Sequence, residues 1–175
     1  LRQRVQIAAE PLGMVLKLLN GLEKYVALCY MMRMAAGPEF KIVVCGYGFD
    51  AADFAKELVR TRQAGAEIVF LMDQGQARSG SKECNSTLGI LSKGGIEVRL
   101  CQGFKTDMEY RLNREDQPFA SGIFHKKSVC VRRRDSHVAY MVVGSSNHTT
   151  YSRCSDELDV LSMVLVSHPD TAVTL

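Results

Sequence analysis

The sequence lacks the features that mark a membrane-spanning, repetitive or strongly charged chain. Its longest N-terminal apolar run, 25–34, is interrupted by Arg33 and is too short to cross a bilayer. The formal net charge is only +3 over 175 residues, so charge alone does not imply nucleic acid. No low-complexity stretch and no clear internal repeat is present. The 46% hydrophobic and 23% charged content instead fits a single domain, 1–175, that can bury a substantial core.

The cysteines lack the spacing of a zinc site or a disulfide framework. None forms a C-x-x-C pair, and no zinc-ligand pattern is visible. Several lie in apolar runs typical of strands, which favours buried free thiols. We therefore expect an intracellular, reducing compartment, either cytoplasm or the mitochondrial surface, and we expect no metal or other cofactor. The six residues are Cys29, Cys45, Cys84, Cys101, Cys130 and Cys154.

The first 36 residues have the apolar spacing of a helix. Pro11 suits the first turn of a helix, and apolar residues from Leu12 to Tyr30 recur at intervals of three and four. Gly13 and Gly21 weaken this pattern. A buried or interface helix is favoured over a membrane-surface helix. The chain begins at Leu1 instead of a methionine, so we expect it to be trimmed at its N-terminus.

Residues 38–167 alternate between β-type runs and helical patterns. A strand, a helix of about fourteen residues capped by Asp50, and a second strand predict parallel pairing with a right-handed crossover. Gly46-Tyr47-Gly48 lacks the full dinucleotide-binding pattern and is read as a tight turn. The predicted class is α/β, with a mixed, twisted sheet flanked by helices on both faces. The predicted strands are 40–45, 67–73, 96–101 and 158–166; helix 87–93 follows a polar loop, 74–86, and 102–122 is a charged loop over the site.

The stretch 124–147 predicts a β-hairpin that carries the reactive groups. His125 and Lys127 are two residues apart, so on an extended backbone both side chains leave the same face. A polar turn at 133–136 separates this strand from a second one, which ends in Gly144-Ser145-Ser146-Asn147. Such a hairpin would bring an imidazole, an ammonium, hydroxyls and a carboxamide to one rim.

This set of groups suits attack on a phosphodiester. A neutral imidazole can act as the nucleophile, while an ammonium and an amide N–H hold the non-bridging oxygens as charge develops on them. Preplaced donors of this kind make a metal unnecessary. The alternative from the residues alone is a surface hairpin with a basic turn and one histidine of no special role.

The motif resembles the signature of the phospholipase D superfamily, H-x-K-x4-D-x6-G-S-x-N. The matching residues are His125, Lys127, Gly144, Ser145 and Asn147. Arg132 stands where the signature has Asp, and the spacing to G-S-x-N is longer. Asp135 is a candidate displaced substitute. The resemblance covers residues 38–167, and in the family that Asp mainly supports structure.

The resemblance implies a shared active site. Members of the family use two H-x-K sets that meet at a two-fold axis, and this chain has one, so it implies a homodimer. His125 would be the nucleophile in one subunit and the acid/base in the other, through a phosphohistidine. Lys127 and Asn147 would bind phosphate oxygens with support from Ser145. Glu157 matches the late acidic position that would hold the imidazole in its reactive tautomer.

A basic cluster accompanies the motif and favours an anionic substrate. Three functions are open: a nuclease acting on DNA or RNA, a cardiolipin-type phospholipid hydrolase at a membrane surface, and a non-catalytic nucleic-acid-binding module in which Arg132 marks decay of the motif. A solvated hairpin tip is the alternative interpretation of the charges. The candidate substrate-binding cations are Lys126, Arg132, Arg133 and Arg134.

Overall fold

A computed structural model describes residues 16–102, 123–136, 138–155 and 157–165. These residues form a mixed seven-stranded sheet of order β1-β7-β6-β5-β2-β3-β4 together with helices, which confirms the predicted α/β class. The strands are β1 (Leu16–Leu19), β2 (Phe40–Gly46), β3 (Glu67–Asp73), β4 (Glu97–Cys101), β5 (Ser128–Arg133), β6 (Val138–Gly144) and β7 (Asp159–Leu165). The helices are α1 (Gly21–Met34), α2 (Ala52–Gln63), α3 (Gln74–Ser79), α4 (Lys82–Lys93) and a 3-10 turn, Tyr151–Cys154.

The two halves of the sheet differ in strand direction. β2, β3 and β4 are parallel and are connected through helices, as the strand–helix–strand pattern predicts. β5, β6 and β7 pair antiparallel, and β5 also pairs antiparallel with β2. This central β2–β5 pairing is what matters for function, because it places the end of β2 beside the start of β5.

One face of the sheet and three helices enclose the hydrophobic core. Alternate residues of β2, β3, β5 and β6 point to this face, as the period of two requires. Helices α1, α2 and α4 pack against them and contribute fully buried side chains, among them Met32, Leu58 and Leu91. The Phe49 and Phe70 rings pack against each other in a tilted arrangement, with their centroids 4.6 Å apart, and Phe49 belongs to the loop that follows β2. The core thus supports that loop from below.

The N-terminal prediction is partly wrong. Residues 16–19 form β1, an edge strand paired with β7, and the helix begins only at Gly21 after the N-cap Asn20. Asn20 and Glu23 form a capping box, which ends the strand and starts the helix at this point. The predicted start at Pro11 lies outside the described residues.

Other predictions need correction or stay open. The predicted polar loop 74–86 contains α3 and the first turns of α4, because Asp73 and Ser81 supply N-caps. Asp50 does not cap α2; its carboxylate accepts from the Thr150 amide at 2.6 Å. The charged loop 103–122 lies outside the described residues. Within the described ranges, no helix has the length and apolarity needed to span a bilayer.

Candidate active site

The candidate site lies at the edge of the sheet where β2 and β6 end and β5 begins. Cys45 pairs with Ser128 at this edge, and the Gly144 amide donates to the Lys127 carbonyl at 3.3 Å. The hairpin therefore brings the H-x-K and G-S-x-N segments to one rim, as predicted. His125 and Lys127 precede β5 rather than lying within it.

Tyr47 lies between the predicted nucleophile and the predicted ammonium. Its ring meets the His125 ring edge-on, with centroids 4.6 Å apart, and the Lys127 Nζ lies 5.2 Å from the Tyr47 centroid. The Tyr47 hydroxyl accepts from Gln76 Nε2 at 3.0 Å, which restrains the ring at its hydroxyl end. His125 is exposed, and Lys127 is buried with its Nζ donating to the His125 carbonyl at 3.3 Å. An accessible imidazole therefore lies beside a partly desolvated cation.

Asn147 is attached to the same loop as Tyr47. The Gly48 amide donates to Asn147 Oδ1 at 3.3 Å, so the side chain keeps its NH2 group as a donor. A Cβ on Gly48 would lie 3.4 Å from the Asn147 amide carbon, at van der Waals distance, so the Gly48 backbone lies close to this side chain. His125, Lys127 and Asn147 thus converge on two consecutive residues, Tyr47 and Gly48.

His148 joins the two loops from within the core. Its amide donates to the Gly48 carbonyl at 3.3 Å, and its ring Nε2 lies 3.0 Å from the Cys45 carbonyl. Burial lowers the pKa of His148 to about 3, so the ring is neutral and donates from Nε2. The His148 ring therefore has a structural role in joining these loops.

Asp73 fixes the approach to the H-x-K segment. This buried carboxylate accepts from the Phe124 amide at 2.8 Å and from the Gln76 amide at 2.9 Å. One side chain at the end of β3 therefore caps α3 and holds the residue before His125. Gln76 also donates to the Tyr47 hydroxyl, so Phe124 and Tyr47, the two residues next to the imidazole, are both linked to Asp73.

The electrostatics around Lys127 come from burial and from Glu157. Burial lowers the pKa of the Lys127 ammonium, and the Glu157 carboxylate acts in the opposite direction. Glu157 is exposed and lies close enough to influence both Lys127 and Lys24. Its predicted role in holding the imidazole stays a prediction, as do the roles of the exposed residues Ser145 and Lys126.

The three arginines predicted to bind substrate lie at the wrong end of the hairpin. Arg132 pairs with Lys41 at the start of β2, so roughly 16 Å of strand separates it from Lys127. It is buried, and its Nε and Nη1 atoms have no hydrogen-bond partner in the described part of the chain. Arg133 pairs with Asp135 at 2.8 Å, and Arg134 pairs with Glu67 and donates to the Pro38 carbonyl at 3.3 Å.

This placement corrects two predictions. The two ends of a strand lie on opposite sides of the sheet, and the basic turn is at the end of β5 that is farther from His125. Arg132, Arg133 and Arg134 therefore do not line the site. Asp135, in the same distant turn, does not replace the missing motif aspartate.

Sequence reasoning missed a buried ionic group behind the motif. Lys24 of α1 contacts Ser146 and Asp159, and all three are buried. The signal available was weak: a lysine in an apolar helix and a second acidic residue two positions after Glu157. Tyr47 and Asp73 were also missed. Among the described residues, no group of three or more His, Cys, Asp or Glu side chains is placed to hold a metal ion.

Comparisons with known proteins give the family of this chain. The sequence profile of the family described as "Cardiolipin synthase, PLD-like domain" matches residues 31–172. A comparison with curated proteins gives no significant match.

Solved structures show the same fold at low sequence identity. Nuc, a phospholipase D family member from Salmonella typhimurium, is 17% identical, with a TM-score of 0.64 over 93% of this chain and 88% of its own. NucT from Helicobacter pylori is 17% identical, with a TM-score of 0.65 over 91% and 88%. Polyphosphate kinase from Porphyromonas gingivalis is 14% identical, with a TM-score of 0.57 over 90% of this chain and 24% of its own.

Proposed function

The chain belongs to the PLD-like family of cardiolipin synthase domains, enzymes that act on phosphodiester bonds, and on that premise we propose a metal-independent phosphodiesterase that forms a phosphohistidine on His125. The substrate we propose first is DNA or RNA, cut internally. The observation that carries the proposal is the convergence of His125, Lys127 and Asn147 on the Tyr47–Gly48 loop. An exposed imidazole, a cation and an amide donor all contact these two loop residues.

The chemical steps follow from these groups. One ring nitrogen of His125 attacks phosphorus, forming the N–P bond while the P–O bond to the leaving alcohol breaks. The partner's protonated His125 gives its proton to the leaving oxygen. It then accepts a proton from water, whose oxygen attacks phosphorus and breaks the N–P bond. Lys127 and the Asn147 NH2 group bind the non-bridging oxygens as negative charge grows on them.

The second imidazole comes from a second copy of the chain. Each chain supplies one H-x-K set, so the proposed site is complete only in a symmetric dimer with two His125 side chains across one cleft. Exposed apolar residues occur near this edge, among them Leu158, beside Glu157, and Tyr151, which follows the Asn147 loop. They supply apolar surface for such a contact.

A subunit-mixing experiment tests this sharing. We expect that wild-type protein equilibrated with a nine-fold excess of His125→Ala protein loses activity to about one tenth per wild-type subunit, because random pairing places most wild-type chains in dimers with one imidazole. The measurement is turnover of a saturating phosphodiester after subunit exchange. Serum albumin at equal mass is the control. Turnover that stays proportional to the wild-type subunits would contradict a shared site.

Chelation tests the role of the side-chain cations. We expect turnover to keep more than about four fifths of its value in excess EDTA, because Lys127 and Asn147 supply the positive charge and donors that a metal would otherwise give. The measurement is cleavage of a nucleic-acid substrate before and after dialysis against EDTA. Complete loss, restored by Mg²⁺ or Zn²⁺, would point to a different chemistry.

The choice between nucleic acid and lipid rests on two separate observations. The whole-chain likeness to Nuc and NucT supports the first candidate, a nuclease. The family description and the exposed apolar side chains of α1, Leu22, Val26, Tyr30 and Met34, favour a phospholipid hydrolase as the second candidate. The basic turn no longer favours either, because it lies away from the site.

The two candidate substrates can be distinguished by assaying one protein preparation on nucleic acid and on lipid vesicles. Nucleic-acid cleavage should weaken steeply between about 50 and 200 mM salt, whereas lipid cleavage should follow the vesicle surface presented. Detection of phosphate bound to His125 after quenching with denaturant at alkaline pH, where the N–P bond survives, would exclude a purely binding module. If neither nucleic acid nor cardiolipin vesicles are cleaved, the proposed function is wrong.

A further inference from the structure

A buried ionic group lies directly behind the loop that presents Asn147. Lys24 Nζ donates to the Ser146 carbonyl at 2.7 Å, to Ser146 Oγ at 2.7 Å and to Asp159 Oδ1 at 3.3 Å. The Ser146 hydroxyl also donates to the second oxygen of the Asp159 carboxylate. Lys24, Ser146 and Asp159 are 4%, 0% and 0% exposed. Every donor of the ammonium is therefore used inside the protein.

The buried face of α1 carries Lys24 together with the apolar Leu28 and Met32. The helix buries Lys24 while Leu22, Val26, Tyr30 and Met34, spaced by four, remain 59–63% exposed. Burial lowers the pKa of Lys24, and Asp159 counteracts that effect. The hydrogen bonds and the ion pair of Lys24 therefore offset the cost of removing its ammonium group from water.

Further contacts hold α1 close to the same loop. A Cβ on Gly21 would overlap the Ser152 carbonyl, so the start of the helix lies directly against the segment after Asn147. The guanidinium of Arg153 stacks 3.7 Å from the Tyr25 ring centroid. Lys24 thus belongs to a row of contacts that joins α1 to residues 146–153.

Fixing Ser146 fixes Asn147. The Ser146 carbonyl belongs to the peptide unit that contains the Asn147 amide nitrogen, so a hydrogen bond to that oxygen restrains the Asn147 backbone. On the other side, Gly48 holds the Asn147 side chain and His148 holds the Gly48 carbonyl. Lys24 supplies the restraint from the N-terminal side of Asn147. A shift of about 1 Å in a group that binds the reacting phosphate can cost roughly a hundredfold in rate.

We infer that Lys24 is a positioning residue of the active site, which holds Asn147 in place through the Ser146 carbonyl. Lys24 lies on α1, just before the segment 31–172 that the family profile matches. The inference rests on the proposed phosphodiesterase function. Asp159 serves as the counter-ion that keeps the ammonium charged in the interior.

The test separates positioning from simple loss of stability. Lys24→Met keeps the length of the side chain but leaves the Asp159 carboxylate buried and unpaired, which can unfold the protein. The double variant Lys24→Met with Asp159→Asn removes both charges and keeps the volume. Lys17→Met, on the exposed side of β1, is the matched control. Each protein is assayed for melting temperature, for kcat and KM on bis(p-nitrophenyl) phosphate, and for the NMR resonances of the Asn147 side-chain amide.

The expected result is a folded double variant whose kcat falls at least about tenfold while KM changes less than about threefold, since Asn147 meets its largest charge in the transition state. The Asn147 amide resonances should move in the double variant and stay in place in Lys17→Met. Wild-type kcat or unmoved Asn147 resonances in the folded double variant would overturn the inference. If the wild-type protein itself shows no turnover, the proposed function fails, and the resonances alone decide whether Lys24 holds Asn147.

Discussion

His125→Ala is expected to lower phosphodiester turnover by a factor of about 10⁴ or more, the scale seen when a covalent nucleophile is removed. The other histidine of the described residues, His148, cannot replace this imidazole, because it is buried in the core and neutral. Stability should change by less than about 0.5 kcal/mol, because His125 is exposed and its ring contacts only Tyr47 among the described aromatic pairs. The measurements are kcat on a nucleic-acid substrate and the melting temperature.

His148→Ala is the matched control, and the two histidines should behave in opposite ways. Truncating His148 removes its contact with the Cys45 carbonyl and its packing against Phe54, so the free energy of unfolding should fall by about 3 kcal/mol. Where that variant still folds, its chemistry should persist because His125 is intact. Near wild-type turnover in His125→Ala protein would refute the phosphohistidine mechanism.

The sequence was most informative where function requires residues at fixed spacing. Parity alone predicted that His125 and Lys127, which the structure places just before β5, share one side of the chain, and the hairpin pattern predicted that Asn147 reaches the same rim. The parallel unit of β2 and β3 was equally visible, because buried parallel strands read as continuous apolar runs. These features depend on local order in the chain, which a sequence displays directly.

The misplaced arginines show where proximity in sequence misleads. Arg132 is only five positions after Lys127, yet an extended strand carries it to the opposite edge of the sheet. The same rule that predicted the hairpin therefore predicts the separation. Reading the charges as one cluster ignored the length of the strand between them.

The helix α1 shows a second limit, set by interactions between distant residues. Its apolar residues at helical spacing favoured a buried or interface helix, and within this chain Leu22, Val26 and Tyr30 are exposed. Lys24 is buried instead because Ser146 and Asp159, more than a hundred positions away, supply its partners. The spacing of apolar residues predicts the helix, but it does not show which face of the helix packs against a counter-ion. Tyr47 and Asp73 escaped prediction for the same reason.

Gly144→Ala is expected to lower both stability and activity strongly. Gly144 pairs with Asp159 across β6 and β7, and a Cβ at this position would overlap the Asp159 carboxylate and lie 2.8 Å from Asp159 Cα. The backbone cannot yield as a flexible side chain can, so the strands must separate and draw Asp159 away from Lys24 and Ser146. We expect a loss of about 3 kcal/mol in the free energy of unfolding, at the upper end for overpacked cores. The melting temperature should fall by about 10 °C.

Gly89→Ala is the control that separates steric overlap from the general effect of replacing glycine. Gly89 lies in α4, and a Cβ there would have no atom within 4 Å, so alanine should stabilise the helix by about 0.5–1 kcal/mol. At a temperature where Gly144→Ala protein is fully folded, its kcat should still be at least about tenfold below wild type, because the displaced Asp159 no longer supports the loop that presents Asn147. Chemical denaturation and kcat measured together decide this. Wild-type stability and kcat in Gly144→Ala protein would show that β6 and β7 can part without disturbing the site, and that the ionic group behind Asn147 does not govern it.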